Sequence, residues 1–397
     1  MADPNNQLRS FPFDWFRDHL LTDLLPHWRN SAITSNGFFW PQLDRAWSRH
    51  CSGLGTLVSQ SRLLFVFSTG YRLTGEKAYL DATAAGADFL LNAFQDRRRG
   101  GWFWSCDSNG KIVNDYKDCY GHAFVIFGLA HAFRATGDPR YSKAAEQTYE
   151  VIRTRFRDSH GGLMWRLSAD FQDNDTERSQ NPMMHLFEAL SEFADATGKR
   201  EYLDEARGIA DFLFAPIAGN EMPPLPEVYA MDWRPKPTAD GGYSAGGHLF
   251  EWAYLLSAAV ERGLPESYLR LAERCLRHGV EFALDREHPG VVTRVSLEGQ
   301  PLDYRKSFWE PCEAIRALLH FAVLRGRPDL LPVCRDVLQF TREHFIDPQH
   351  GGWFADLTRE GTPVGVFKGN EWKVDYHSGG MCAEALQLAD MIGGNET

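Results

Sequence analysis

The chain has no CxxC pair. Its seven cysteines, Cys51, Cys106, Cys119, Cys275, Cys312, Cys334 and Cys382, are odd in number and scattered. That excludes a disulfide framework or a cysteine zinc site and fits reduced thiols in a cytosol. Excess positive charge is also missing. Lys and Arg total 42 against 53 Asp and Glu, a formal net charge of -11. A uniformly acidic chain is a poor counterion for phosphate backbones, so no nucleic-acid partner is expected. The only basic cluster, Arg97-Arg98-Arg99, reads as a solvated turn. No run approaches the roughly 20 apolar residues of a membrane helix. The N-terminus, MADPNNQLRS, lacks the basic start and apolar stretch of a signal peptide. The expectation is a cytoplasmic protein without membrane contact. There is also no P-loop GxxxxGKS/T and no HExxH, and GGYSAGG from Gly241, which contains GxSxG, follows no predicted strand and reads as a loop, so nucleophilic hydrolysis has thin support and nucleotide binding and zincin chemistry have no motif.

What is present is a repeat. TGEKAYLDATAAGADFLLNAF from Thr74, TGDPRYSKAAEQTYEVIRTRF from Thr136, TGKREYLDEARGIADFLFAPI from Thr197 and RGLPESYLRLAERCLRHGVEF from Arg262 read alike, with a weaker copy from Arg325. Their starts lie 62, 61, 65 and 63 residues apart, and each carries apolar residues at helical spacing after a Gly-containing turn. A Gly-Gly or Pro-Gly, a short aromatic or β-branched run and a turn follow most copies, at Gly100, Gly161, Pro289 and Gly351, and predict small hairpins. GFFWPQLD at Gly37 looks like a first, degenerate copy; the fourth slot is a long loop, PPLPEVYAMDWRPKP. A second helix then begins each time, near 56–73, 117–135, 180–196, 246–261, 307–324 and 376–391. These helices are apolar on most faces and therefore buried, whereas the first helices carry charge on one face and belong outside. The unit of outer helix, hairpin and inner helix recurs about six times in 397 residues. The expected fold is all-α, an (α/α)6 barrel with short β-hairpins on one face, spanning 1–397 as a single catalytic domain. An open solenoid of the same hairpins is the alternative.

Polar residues at the starts of buried helices fall in register. His122, His185 and His248 are spaced by 63 and 63, and Glu310 follows 62 later. In that register Glu188, Glu251 and Glu313 also correspond, while His377 opens the last inner helix. In a closed toroid Arg62, His122, Asn181, His185, His248, Glu251, Trp309, Glu310 and His377 would line one mouth. His122 could instead buttress the aromatic wall. His-x-x-Glu puts both side chains on one helix face, where a carboxylate orients an imidazole and raises its basicity for acid–base work. Metal ligation is the other use of such groups, and it requires the nitrogens to meet at one point. Aromatics make up 13% of the chain, and Trp40, Trp102, Trp104, Trp309, Trp353 and Trp372 fall in or beside the loops and inner-helix starts, where rings suit either the faces of a sugar or the core.

Several segments carry a likeness: SRLLFVFSTGYR around Arg62, YGHAFVIFGLA from Tyr120, NPMMHLFEA around His185, GGHLFEWAYLL around His248, SFWEPCEA around Trp309 and EWKVDYHSGG around His377. In order and spacing, from about residue 10 to 392, the chain resembles the N-acylglucosamine 2-epimerase superfamily. The resemblance implies an (α/α)6 barrel and cofactor-free, metal-free proton transfer at C2 of a sugar. It implies that His248 and His377 are the acid–base pair, that Glu251 orients His248 and that His185 assists ring opening or binding. Arg62, Asn181, Tyr120, Trp309, Glu310 and Trp372 would contact the sugar. Lys373 stands where some members carry a different polar residue. Epimerisation and aldose–ketose isomerisation share one enediolate, so both stay open. The lean is to mannose, with N-acylglucosamine or cellobiose as alternatives. A small sugar is the expected partner, the chain is a monomer or homodimer, and no nucleotide requirement is expected. From other classes, a glycoside hydrolase using Asp115, Asp118 and Glu310, or a non-catalytic sugar-binding protein, also remains.

Overall fold

A computed structural model describes residues 8–51, 53–217 and 224–394. Residues 1–7 of the N-terminal segment and Pro223 of the long loop lie outside it. Six inner helices run Leu57–Thr74, Cys119–Thr136, Asn181–Thr197, Gly246–Glu261, Trp309–Leu324 and Tyr376–Gly394, within three residues of the predicted bounds. The outer layer holds Lys77–Phe89, Pro139–Val151, Arg200–Phe214, Ser267–His278 and Leu331–His344. A sixth outer element, Phe13–Asp18 continuing through a π-helical turn into Leu25–Ala32, packs on the last inner helix. Each inner helix packs on the next, and the sixth packs on the first. The ring is closed, an (α/α)6 barrel rather than a solenoid.

The two ends of the ring are built differently. At one end the chain turns sharply from inner to outer helix. The repeated Thr-Gly does this. Gly75, Gly137 and Gly198 end the first three inner helices at φ +69°, +72° and +70°, a left-handed conformation that only glycine adopts freely. The Thr hydroxyl before each glycine donates back to the helix, as Thr74 does to the Gly70 carbonyl at 2.8 Å.

The other end carries the predicted hairpins, and their strands do more than turn the chain. The strand entering each inner helix pairs antiparallel with the hairpin of the following unit: Gly55–Thr56 with Ser105–Cys106, Lys117–Asp118 with Arg166–Leu167, Arg178–Ser179 with Val228–Tyr229, Ser244–Ala245 with Arg294–Val295, and Lys306–Ser307 with Asp356–Leu357. The sixth seam is a bridge from Leu43 to Gly369, where the Leu43 N–H donates to the Gly369 carbonyl at 3.0 Å. Buried ion pairs close four of the connecting loops on themselves: Asp96–Lys117, Asp158–Arg178, Asp285–Lys306 and Asp347–Lys368, at 2.8, 3.2, 3.3 and 3.0 Å. Each cation lies 20 or 21 residues after its aspartate. The second glycine of three hairpins is there for room. A Cβ on Gly101, Gly162 or Gly352 would strike His122, Trp233 or Trp47 at 2.6 Å or less.

Candidate active site

The seam end opens into an axial pocket of about 330 Å³. Its wall takes Arg62 from the first inner helix, Tyr120 from the second, Asn181 and His185 from the third, His248 from the fourth, Trp309 from the fifth and His377 from the sixth, with Trp372 and Asn370 from the preceding loop. The register of the repeat brings these together because each inner helix starts at the same height. GGYSAGG, which reads as a loop, is a loop only to Tyr243; Ser244–Ala245 is a strand, and the helix starts at Gly246. Gly247 allows Trp309 to sit against the His248 helix, since a Cβ there would lie 2.3 Å from its ring. Trp309 in turn stands between two imidazoles, its ring centroid 4.9 Å from His248 and 5.5 Å from His377.

Three histidines face this pocket, and each has a carboxylate on Nδ1. His185 pairs with Glu188 on its own helix at 3.2 Å, as three-residue spacing dictates. His377 pairs with Glu313 of the neighbouring inner helix at 2.7 Å. His248 pairs at 2.7 Å with Glu227, which also accepts from the Gln180 amide at 2.9 Å. A proton on Nδ1 shared with a carboxylate leaves the Nε2 lone pair as the reactive position. Burial, with Arg62 and His185 adding repulsion, holds His377 well below the ordinary histidine value, so it is a neutral base at pH 7. Burial also lowers His185, although Glu188 opposes it. At Glu227 burial works upward, but the charge and hydrogen bond of His248 prevail and keep the carboxyl below its usual range.

Arg62 is set by the wall itself. Its Nη2 donates to the Tyr120 hydroxyl at 2.7 Å and its Nη1 to the Trp372 carbonyl at 2.9 Å, and its guanidinium lies over Phe124 at 4.5 Å. Arg62 Nε and Asn181 Oδ1 are buried without protein partners among the described residues. Beneath the histidines lies a layer of carboxyls. Glu251 is fully buried, neither of its oxygens is hydrogen-bonded, and burial beside Glu313 and Glu188 drives its pKa well up. Glu313 is pushed to about 7 by burial, with Arg316 pulling the other way. Ligand-type atoms of His185, His248 and Glu251 lie within 4.8 Å of one another, as do those of Glu251, Glu313 and His377. The residue common to both groups is Glu251, whose carboxyl would have to give up its proton to serve as a ligand.

Two site assignments change. Glu251 does not orient His248; Glu227 does, because the fourth-slot loop brings it to Nδ1 while Glu251 lies below with the other carboxyls. Glu310 does not line the pocket. Its side chain turns back to accept from the Ser307 N–H at 2.9 Å, a helix-start cap, and burial raises it to about 8. His122 buttresses the wall: it donates to the Asp118 carbonyl and accepts from the Trp102 N–H. The carboxylates proposed for hydrolysis do not converge either, since Asp115 is exposed and Asp118 caps a helix by accepting from the Gly121 N–H. Of the six tryptophans, Trp309 and Trp372 line the pocket and Trp104 backs Trp372 at 5.3 Å. Trp102 and Trp353 are core, and Trp40 packs under Arg49. Sequence reasoning missed Glu227, Gln180 and Tyr376, whose hydroxyl donates to Glu188. The signal for Glu227 was the one slot that broke the repeat.

A closed ring of helix pairs with an axial pocket of carboxylate-held histidines defines an (α/α)6-barrel enzyme. The N-acylglucosamine 2-epimerase family profile matches residues 37–381. The chain belongs to that family, and it is a sugar epimerase or isomerase. It is 27% identical to cellobiose 2-epimerase of Eubacterium cellulosolvens over 402 residues, covering 94% of this chain and 98% of that one. It is 28% identical to D-mannose isomerase of Marinomonas mediterranea over 342 residues, covering 83% and 86%. A crystal structure of D-mannose isomerase superposes with a TM-score of 0.88 at 26% identity, covering 94% and 97%.

Proposed function

We propose that this chain acts as one catalytic unit that interconverts a hexose, mannose in first place, with its C2 epimer or its ketose. The observation that carries the reading is the pair His248 and His377, on either side of Trp309, each held at Nδ1 by its own carboxylate. The sugar ring opens with help from His185, exposing the C1 carbonyl. His377 takes the C2 proton on Nε2, and Glu313 steadies the imidazolium. Negative charge develops on O1, and Arg62 stabilises it from a fixed, largely buried position. His248 works from the other face. Returning a proton to C2 there gives the epimer. Delivering it to C1, with a proton moved from O2 to O1, gives the ketose. Asn181 and Tyr120 contact sugar oxygens.

A second reading has a specific observation behind it. Trp372 is 43% exposed at the rim and rests on Trp104, a flat shelf where the second ring of a disaccharide such as cellobiose would lie. Seven unpaired thiols suit the cytosol. The test is incubation with mannose, glucose, fructose, N-acetylmannosamine and cellobiose in deuterated water, followed by NMR with and without chelator. Deuterium at C2 of mannose and of its epimer, or at C1 of the ketose, unaffected by chelator, is expected. No exchange at C2 of any of the aldoses and none at C1 of fructose would sink the proposal.

A further inference from the structure

The turn end of the barrel holds a cavity of about 580 Å³, larger than the pocket at the seam end and separated from it by the carboxyl layer. We propose that it is a second ligand site, for an oxyanion carried on a sugar-sized body such as a hexose phosphate. The argument starts from hydrogen-bond accounting. The carboxylates of this cavity are already engaged. Glu192 takes Arg134 and Arg262, Asp195 takes Arg262, Glu261 takes Arg325 and Glu384 accepts from the Tyr254 hydroxyl. Its donors are not all used. Ser68 Oγ and Arg316 Nε are buried in the lining without partners among the described residues, and Arg72 makes no ion pair or hydrogen bond to them. His131 Nε2, buried there too, makes no hydrogen bond to them and stands 3.6 Å from Glu192.

Helix dipoles account for Arg72 and Arg134, which sit in the last turns of their helices. They do not account for Arg316, which lies two turns into Trp309–Leu324, with its guanidinium 3.7 Å from the Tyr254 ring centroid. A buried guanidinium with an unused donor calls for an acceptor. Phosphate oxygens meet Arg72, Ser68 and Arg316, while Phe65 and Tyr254 offer flat faces to the body of the ester. Arg316 also stands 3.6 Å from Glu313, the carboxylate that holds His377. An anion drawing on Arg316 therefore bears on the acid–base pair. That coupling rests on the proposed function, whereas binding does not.

The test is calorimetric titration with glucose 6-phosphate, inorganic phosphate and glucose, alongside exchange rates with mannose. Glucose 6-phosphate is expected to bind at one site. Arg72→Gln and Ser68→Ala should each weaken it about fivefold or more, and His248→Asn should leave it unchanged. Equal binding of inorganic phosphate supports the oxyanion site and makes the free anion its ligand. Absence of binding by both phosphates, or binding lost in His248→Asn but kept in Arg72→Gln, overturns the proposal. Arg72 is on the rim and Ser68 is small, so both variants are expected to fold, as melting curves would check. Calorimetry reads binding without turnover, so a chain that fails to exchange C2 would still answer for this site.

Discussion

Both ends of the barrel hydrogen-bond a histidine Nδ1 to a glutamate, but only at one end does that leave Nε2 of the same ring to do chemistry. At the seam end Glu188, Glu227 and Glu313 hold Nδ1 of His185, His248 and His377, and all three rings line the pocket. At the turn end His320 has Nδ1 on Glu384 at 2.8 Å and Nε2 on the Ser257 hydroxyl at 3.0 Å, so both nitrogens are spent. The same residue pair is a base in one place and a strut in the other. What separates them is how the connections are built. Turns of two to six residues at one end bring little but helix ends together. Long seamed loops at the other end deliver Glu227 and Trp372 to the axis.

That contrast can be broken most directly at the imidazoles. His377→Asn is expected to lower kcat/KM for C2 exchange by about 10³-fold, within the range of a lost acid–base group. His320→Asn, in the folded fraction, should change it less than about twofold. Comparable losses from both would erase the distinction. The next largest effect concerns the loops. Lys117→Met strands a buried Asp96 carboxylate and should cost about 3 kcal/mol in urea denaturation. A cost as small as that of an exposed pair such as Lys77–Asp81 would show the loop-closing pairs to be ornamental.

A smaller effect sharpens the role of the loops. Glu227→Gln should cut kcat/KM about tenfold, chiefly in kcat, because the imidazole of His248 loses the carboxylate that holds its Nδ1. An unchanged kcat would return Glu227 to a structural role. The smallest effect is thermodynamic. Glu251 has its folded pKa raised, so the folded state holds a proton that the unfolded chain gives up above about pH 4.3. Its contribution therefore falls as pH rises from there towards the folded value. Glu251→Gln should raise Tm relative to wild type, and by more at pH 8 than at pH 5. A difference independent of pH would mean that the carboxyl is ionised.

The repeat made the barrel legible because each unit states the same physics: Thr-Gly for the left-handed end of an inner helix, Gly-Gly for the close approach of a ring, apolar residues all round for burial. Register alone then placed Arg62, His185, His248, Trp309 and His377 at one height. It failed where a side chain leaves its register. The three-residue rule holds for His185 and Glu188, but it is a rule about one helix, and it suggested Glu251 for His248 when the partner arrives from a loop 21 residues upstream. Glu310 shares the position of the histidines yet bends back to its own helix start. The pairs of aspartate with lysine or arginine that close the loops also recur, 20 or 21 residues apart. They went unread because nothing in a linear pattern says that the two ends of such a loop meet.

The Leu43–Gly369 bridge has a consequence in time. Five seams join each unit to its immediate successor, so they can form in turn as the chain emerges. The sixth joins the first hairpin to the last and has no partner until residue 369 has been made. Until then the inner helices expose an apolar flank at each free edge. Contacts between distant parts of a chain form slowly, because loop closure must precede them. Closure at Leu43 is thus the step at which refolding should stall and aggregation should compete. The strength of that closure, the bridge together with the Arg45–Asp347 ion pair beside it, then governs how much of the enzyme a cell recovers, independently of how well the finished pocket works.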